Sequence, residues 1–174
     1  RGGLSVMSGQ FRFVFEQLQL TWGPRVKQVN DSFGHSFGDE ILVQVATRLA
    51  NVLRHHKLSN INEANQLEQN LSRLGGDEFS IFIESVDTDN KVVDIAKHVL
   101  SELEKDFVLG NKIIKISASI GIAAYPESAS TPQALLQLAD VAMYRAKSDG
   151  KGIFKVYSPE MGNKMRRYHY LLEE

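Results

Sequence analysis

The spacing of apolar residues along the chain alternates between two periods, and each change of period predicts a new element. A period of two, typical of a half-buried strand, is loose from Phe11 to Leu20 and clear from Lys112 to Ala124. A period near 3.6, typical of an amphipathic helix, begins at Asp39 and again at about Asp89. The pattern therefore predicts a domain that mixes strands with helices.

Three amphipathic helices and one polar helix are predicted. In the first, Asp39-Glu40 places negative charge at the positive end of the helix dipole. The second runs from about Asp89 to Glu104. The polar helix, from Ser158 to Glu174, has little to bury and is interpreted as a connector. The third helix has a start and a stop signal, namely the cap Thr131, Pro132 at its first position and Gly150 past its end.

Two hairpins lie between the amphipathic helices. In the first, the apolar runs Leu71–Leu74 and Phe79–Ile83 flank the turn Gly75-Gly76-Asp77. In the second, a glycine-asparagine pair joins Phe107–Leu109 to the long alternating strand. We therefore expect the two acids that follow the first glycine pair to lie at a hairpin tip.

The order of these elements predicts the fold class. With a last strand at Ile153–Tyr157, the chain reads strand, helix, hairpin, helix, hairpin, helix, strand. This order predicts an α+β fold with helices packed on an antiparallel-rich central sheet. We assign residues 1–158 to one domain, with 58–70 as an inserted surface segment, and residues 159–174 to a connector helix that leads to a further domain.

The composition limits which cellular compartment and which classes of binding partner are expected. A net charge of −1 creates no overall field that would attract nucleic acid or an anionic membrane, so a bound anion needs a local site. The absence of cysteine excludes disulfides and thiolate chemistry and fits a reducing compartment, and we expect a cytoplasmic domain. No apolar run approaches the roughly 20 residues of a membrane span, so no membrane contact is expected.

The first hairpin turn carries the most specific chemistry in the chain. Gly75 and Gly76 let bare backbone approach a ligand, and Asp77 and Glu78 place two carboxylates where a divalent cation can bind. The alternative is a soluble hairpin tip without function, because glycines and acids are common in turns. The neighbouring sequence decides between these interpretations.

Four blocks in a fixed order resemble the GGDEF family, and the similarity runs from about Lys27 to Tyr157. A single pentapeptide would be weak support, whereas four ordered blocks are specific. The blocks are Asn30–Asp39 (NDSFGHSFGD), Gly75–Phe79 (GGDEF), Ser119–Ala123 (SIGIA), and Ala139–Lys147 (ADVAMYRAK) with Gly150-Lys151.

The resemblance implies an activity and its requirements. Proteins similar to this one are diguanylate cyclases, which condense two GTP into cyclic di-GMP and release pyrophosphate. Their fold resembles that of nucleotide cyclase catalytic domains, with a ferredoxin-like core. Mg²⁺ or Mn²⁺ is the implied cofactor, and a homodimer is implied because each protomer holds one GTP. The tail after Ser158 is similar to connectors that join GGDEF to EAL phosphodiesterase domains, so linked EAL and sensor domains are expected.

The resemblance also assigns roles to individual residues. Asp77 and Glu78 would bind the metal and help to deprotonate the attacking ribose hydroxyl. Asn30 and Asp39 would recognise guanine, since an amide and a carboxylate match its donors and acceptor. The phosphates would be bound by residues from three other places in the chain: Lys27, the signature glycines Gly75 and Gly76, and the pair Lys147 and Lys151.

Each of these side chains also has a purely structural interpretation. Asp39 would serve as a helix cap and Asn30 as a turn residue. Lysines such as Lys147 and Lys151 are common at helix C-termini, where they interact favourably with the dipole. His55-His56 suggests a metal site, but adjacent histidines on a helix point in different directions, so a solvated face is preferred.

The chain departs from the family pattern before the Asn30 block. Trp22 stands where the family has a metal-binding aspartate. The next residue is Gly23, and the resemblance implies that its carbonyl would also reach the metal. An indole cannot bind Mg²⁺, so we expect weaker metal binding and impaired activity. Two alternatives stay open. In the first, the first strand is shifted and Glu16 replaces the missing aspartate as a metal ligand. In the second, residues 4–24 depart from the natural sequence of this region.

Three functions are compatible with these residues. The first is a diguanylate cyclase, and the second is a degenerate GTP-binding module that regulates a neighbouring phosphodiesterase domain. The third is a dimerisation scaffold without nucleotide. The Arg-x-x-Asp product-inhibition site of many family members is missing, because Arg54 and Gln66 each begin a stretch without the acidic partner. We therefore expect no feedback inhibition there.

Overall fold

The protein is described by a computed structural model, which covers residues 13–22, 35–56, 70–84 and 89–162. Within these ranges three helices and seven strands follow each other along the chain. In chain order they are β1 Phe13–Trp22, α1 His35–His55, β2 Leu71–Gly75, β3 Glu78–Glu84, α2 Asp89–Glu104, β4 Phe107–Leu109, β5 Lys112–Ile114, β6 Ile116–Tyr125, α3 Pro132–Ser148 and β7 Phe154–Val156.

The strands form a five-stranded sheet and a small two-stranded one. The large sheet has the order β2-β3-β1-β6-β7, and β4 pairs with β5 separately. All pairs are antiparallel except β6 with β7, which is parallel. The predicted α+β class with an antiparallel-rich central sheet is therefore confirmed. The first strand of the chain lies at the centre of the sheet, so both of its edges are paired with neighbouring strands.

One face of the sheet carries the main apolar core. Because successive strand residues point to opposite faces, Leu18 and Leu20 of β1 lie on the same side as alternate residues of β3 and β6. Helices α1 and α2 cover this side and contact each other. The fully buried members of this core include Leu18, Ile41, Leu49, Leu53, Ile81, Ile83, Ile95, Leu103, Ile120 and Ile122.

The opposite face is covered by α3, which lies very close to β6. A Cβ atom added at Gly121 would lie 1.9 Å from the carbonyl oxygen of Ala139 and 2.2 Å from the amide nitrogen of Met143. Only glycine permits this approach of the helix backbone to the strand. Thr131 caps the helix as predicted, because its hydroxyl accepts a hydrogen bond from the amide of Ala134 at 3.2 Å.

The structure changes two of the predicted boundaries. Helix α1 begins at His35, four residues before Asp39, because Phe37 extends its apolar face onto the core. Asp39 therefore lies in the second helical turn, and the interpretation of Asp39 as a cap is wrong. The long strand predicted from Lys112 to Ala124 is divided at Lys115, which pairs with Asp106 beside the small β4–β5 hairpin.

Other boundaries agree with the predictions. Helix α2 spans Asp89–Glu104 and the first hairpin has its turn at the glycine pair, both as expected. The predicted inserted segment lies outside the described residues except for Asn70. The predicted connector helix is described only as a short helical stretch at 159–162.

Candidate functional site

The β2–β3 hairpin presents the two signature acids. The backbone reaches positive φ at Gly75 (152°) and Gly76 (52°), which a residue with a side chain rarely adopts. Arg73 stabilises the turn, because its Nε donates to the carbonyl of Gly76 at 2.9 Å. Asp77 and Glu78 follow directly and are half-buried. The glycines therefore make the turn that places two adjacent carboxylates at the end of the sheet.

Strand β1 ends beside this turn. The amide of Leu20 donates to the carbonyl of Asp77 at 3.0 Å, and Gln19 is the register partner of Glu78. Trp22, the last residue of β1, therefore lies only two residues beyond the hydrogen bond to Asp77. The backbone of β1 therefore ends close to the turn that carries the two acids.

A row of polar residues crosses three strands at the same level. Ser119, Gln19 and Glu78 are register partners, so they share the face covered by α3. Lys147 of α3 joins this row, because its Nζ donates to Oε1 of Gln19 at 3.0 Å. The amide is neutral, and among the described residues no ion pair compensates the positive charge of Lys147. A cation of α3 thus contacts the glutamine that lies opposite the hairpin carboxylate Glu78 in the sheet.

Ser119 is fully buried, and its hydroxyl has no hydrogen-bond partner within the described ranges. A buried polar group without a partner costs about 1–3 kcal/mol. The hydroxyl lies in the same cross-strand row as Gln19 and Glu78. It is therefore an unusual polar group at the level of Glu78 and of the contact between Gln19 and Lys147.

The end of α3 holds the second predicted lysine. Lys151 is exposed, has a φ of 62°, and its amide donates to the carbonyl of Ala146 at 3.2 Å. Two residues later the carbonyl of Ile153 accepts from the amide of Ile120 at 3.0 Å, which attaches this turn to β6. Lys151 therefore follows the end of α3 on the segment that leads into β7.

The carboxylate of Asp149 forms ion pairs with other cationic residues near this turn. It contacts Nζ of Lys155 and Nε of Arg145, both at 3.0 Å. The hydrogen bond from Lys155, together with the contact to Arg145, lowers the pKa of Asp149 below its ordinary value. The negative charge of Asp149 is therefore balanced without Lys147 or Lys151.

The structure brings some of the predicted residues together and leaves others apart. Gly75, Gly76, Asp77, Glu78 and Lys147 share one end of the sheet. Asp39 is exposed on α1, on the opposite side of the sheet, and within the described ranges no hydrogen bond or ion pair links it to the hairpin. The other three predicted residues lie outside the described residues, and they are Gly23, Lys27 and Asn30.

The alternative metal ligand Glu16 is not supported. Its register partners are Ile81 and Ile122, in the middle of the sheet. Glu16 lies four residues before Leu20, which corresponds to roughly 13 Å along the strand from the level of Asp77. The register of β1 is therefore not shifted in the way that would bring position 16 level with the hairpin acids.

Sequence reasoning missed three residues that define this region. Gln19 connects Lys147 to the sheet, Ser119 contributes the buried hydroxyl, and Gly121 admits α3. The period-two alternation in β6 assigned Ser119 to a face but gave no information about its neighbours. Only the register between strands, which a single sequence does not specify, aligns Ser119 with Gln19 and Glu78.

The oxygen-rich hairpin fits a divalent metal in part. Two adjacent carboxylates provide the hard oxygen ligands that Mg²⁺ prefers, and this ion usually keeps several waters and phosphate oxygens. Across the residues that the structure describes, no group of three or more His, Cys, Asp or Glu side chains is arranged to hold a metal ion. In the same residues no helix has the length and apolar character needed to cross a membrane.

Known proteins show the same combination of sequence and fold. The chain is 36% identical over 145 residues to the cyclic di-GMP phosphodiesterase PdeR of Escherichia coli, covering 83% of this chain and 20% of PdeR. It is 36% identical over 140 residues to the diguanylate cyclase TpbB of Pseudomonas aeruginosa, covering 79% of this chain and 29% of TpbB. The chain thus spans less than a third of the length of these relatives.

Two solved structures resemble the fold closely. The GGDEF domain of TpbB matches with a TM-score of 0.69 at 32% identity, covering 84% of this chain and 83% of that domain. An EAL/GGDEF domain protein from M. capsulatus matches with a TM-score of 0.67 at 33% identity, covering 85% and 86% of the two chains. The family model for the diguanylate cyclase GGDEF domain matches residues 23–152. The chain therefore belongs to the GGDEF domain family.

Proposed function

We propose that this domain binds GTP and condenses two molecules into cyclic di-GMP at a low rate. The observation that supports this function best is the row formed by Glu78, Gln19 and Lys147 at the end of β1. It combines carboxylates for a metal with a cation for phosphate in one place. Charge that develops on phosphoryl oxygens during the transfer is stabilised by such groups.

In this proposal the hairpin acids hold the metal and accept the proton. Mg²⁺ or Mn²⁺, when bound by Asp77 and Glu78, would stabilise negative charge on the phosphoryl oxygens and lower the pKa of the attacking hydroxyl. Gly75 and Gly76 have no side chain that would block the phosphates. A carboxylate of the pair accepts the proton of the ribose 3′-hydroxyl as pyrophosphate leaves.

The remaining predicted residues would bind the rest of the nucleotide. Lys147 and Lys151 at the end of α3 neutralise the terminal phosphates, and Lys27 contacts them from the segment after β1. Asn30 and Asp39 select guanine over adenine through its N1 and exocyclic amine. Because one protomer holds one GTP, the reaction needs two copies of the domain facing each other.

A second candidate function is favoured by Trp22. This residue ends β1 close to Asp77. By the family resemblance, it stands where a metal-binding aspartate is expected. Without that carboxylate the cation loses an anionic ligand, and the Gly23 carbonyl that the family resemblance assigns to the metal is neutral. The domain would then bind GTP without turnover and regulate linked EAL and sensor domains.

One pair of measurements separates the two functions. The protein is incubated with GTP and Mg²⁺ or Mn²⁺, and both bound nucleotide and cyclic di-GMP are measured. Turnover that disappears in Asp77→Asn supports the cyclase, and binding without turnover supports the regulatory module. Absence of both binding and turnover contradicts both functions.

The variant Trp22→Asp tests the cause of the low rate. Restoring a carboxylate should raise turnover by roughly 100-fold, because metal stabilisation of the transition state is worth several kcal/mol. Trp22→Leu is the matched control, since it removes the indole without adding a ligand. Equal rates in both variants would show that the missing carboxylate does not limit the reaction.

A further inference from the structure

Gln19 contacts a side chain that is distant from it in the sequence. Its Oε1 accepts a hydrogen bond from Nζ of Lys147 at 3.0 Å, and the two residues are separated by 128 positions in the chain. Gln19 is half-buried on the central strand β1, whereas Lys147 is exposed near the end of α3. The contact therefore attaches the tip of a long, flexible side chain to the centre of the sheet.

Both residues in this contact lie on backbone that is held in place. Gln19 is paired in the sheet with Glu78 on one side and with Ser119 on the other. Ala146, which precedes Lys147, is fully buried under α3. The distance between the two side chains is therefore set by the packing of the helix on the sheet.

The contact also determines how the Gln19 amide is oriented. An ammonium group only donates hydrogen bonds, so the carbonyl oxygen of the amide faces Lys147 and the NH₂ group points away from it. The cross-strand neighbours Ser119 and Glu78 both carry oxygen atoms that can accept hydrogen bonds. The polar surroundings of Gln19 thus suit an amide better than an apolar side chain.

The neutral charge of Gln19 leaves the charge of Lys147 available to a ligand. A carboxylate at position 19 would accept the same hydrogen bond, but it would also form an ion pair with the ammonium group. It would in addition place a second negative charge opposite Glu78, and like charges in opposite positions of a sheet are unfavourable. The amide of Gln19 holds the ammonium group without either effect.

Two other cations near this turn are held by a carboxylate. Arg145 and Lys155 each contact Asp149 at 3.0 Å. Within the part of the chain that the structure describes, Lys147 forms no ion pair, and its contact is with a neutral amide. Lys147 is therefore fixed in position but retains its charge, which is the combination that an anion-binding residue requires.

We propose that Gln19 is a positioning residue that holds the ammonium group of Lys147 where it binds the terminal phosphates of the nucleotide. The identity of this anion rests on the proposed function. Gln19 acts through Lys147 and does not itself touch the ligand. Because the lysine side chain is already ordered, it loses less conformational freedom when the phosphates bind, and this improves the affinity.

Calorimetric titration of Gln19→Met with GTP and with guanosine tests this role. Methionine has a similar length but cannot accept the hydrogen bond, so GTP should bind roughly 2- to 12-fold more weakly, as expected for one long side chain that must be ordered on binding. Gln19→Glu should weaken GTP binding further. Guanosine has no phosphates, so its affinity should not change in either variant, whereas general damage to the fold would weaken both ligands.

A double-mutant cycle shows whether Gln19 acts through Lys147. In the Lys147→Gln background, Gln19→Met should have no further effect on GTP affinity. Gln137→Met replaces an exposed glutamine on α3 and is the matched control, which should bind GTP like the unmodified chain. Gln19→Leu serves the same purpose if the methionine variant does not fold.

A second measurement does not depend on the nucleotide. The NMR order parameter of the Lys147 Cε group, measured without ligand, should fall in Gln19→Met, while that of the exposed Lys97 should stay the same. An unchanged order parameter for Lys147, or equal GTP affinities for Gln19→Met and the unmodified chain, would overturn the inference. If the unmodified chain binds no GTP, the proposed function fails, whereas a loss of Lys147 order in Gln19→Met still supports the positioning role.

Discussion

The two faces of the central sheet differ in the size of the residues that cover them. The face under α1 and α2 is filled by large aliphatic side chains such as Ile81 and Ile120, which are fully buried. Where α3 crosses β6, the opposite face is made of small residues, with Gly121 on β6 facing Ala139 on the helix. The first face buries the larger apolar area, so most of the hydrophobic stabilisation comes from it.

The face under α3 affects the position of Lys147. Because α3 lies so close to β6, its C-terminal turn is fixed relative to β1, and Lys147 reaches Gln19. The face under α1 and α2 thus mainly stabilises the fold, and the face under α3 mainly positions the proposed site. Substitutions on the two faces should therefore affect different measurements.

The largest effect is expected from Gly121→Val. The new Cβ would overlap backbone atoms of Ala139 and Met143, which cannot move without displacing α3. The cost should exceed the roughly 1–3 kcal/mol of ordinary overpacking, and a large part of a typical total stability of about 5–15 kcal/mol would be lost. Circular dichroism during thermal unfolding measures this.

Ala124→Val is the matched control, since it enlarges a residue of the same strand on the opposite face. It should cost about 1–3 kcal/mol and leave a cooperative transition. If Gly121→Val and Ala124→Val lower the melting temperature equally, the close approach of α3 to β6 has no special role in stability.

The next effect is on stability alone. Ile81→Ala removes a fully buried side chain from the α1–α2 face and should lower the free energy of unfolding by about 2–5 kcal/mol. Urea denaturation gives this value, and Ile81→Val should cost only about 0.5–1.5 kcal/mol. GTP affinity of the folded fraction should not change, and a tenfold loss of that affinity would contradict the separation of the two faces.

A smaller effect, confined to the ligand, is expected from Lys147→Gln. Loss of the ammonium removes a charged hydrogen-bond donor, which corresponds to roughly 10- to 100-fold weaker GTP binding. Fluorescence titration with a labelled GTP analogue measures the affinity. Lys97→Gln on the exposed side of α2 is the control. Equal affinities for the two variants would place the phosphates elsewhere.

The smallest effect concerns Asp149 and pH. Its pKa is lowered in the folded protein, mainly by the hydrogen bond from Lys155, so its contribution to stability is present above the ordinary value of 3.8 and is lost as pH falls through the lower folded value. Asp149→Asn should therefore melt at a slightly lower temperature than the unmodified chain at pH 7. The difference should shrink as pH falls below 3.8, and a difference that does not decrease with falling pH would contradict this account.

The sequence specified the local elements of this fold well. Thr131, Pro132 and Gly150 predicted the bounds of α3 because capping is a local interaction. The start of α1 was predicted too late, since Phe37 belongs to its apolar face only when the core is in place. Local patterns therefore located the elements, and tertiary packing fixed the ends that local signals did not mark.

The candidate site was predicted in its residue types and less so in its geometry. The motif around Asp77 and Glu78 indicated the hairpin acids, and the family resemblance of the Ala139–Lys147 block indicated the cation. The link through Gln19 depends on strand register and on the helix approach at Gly121, which no single segment encodes. The same limitation applies to the hydrogen bond between His56 and His98, because these residues meet only after α1 and α2 have packed.

The most direct test of the central claim is a crystal structure of the domain with GTP and Ca²⁺, a cation used here to allow binding without turnover. The account predicts the triphosphate at the end of β1, with the cation on Asp77 and Glu78 and the terminal phosphates on Lys147. A nucleotide bound at another surface, or one that contacts Lys147 without any cation on the hairpin acids, would contradict it.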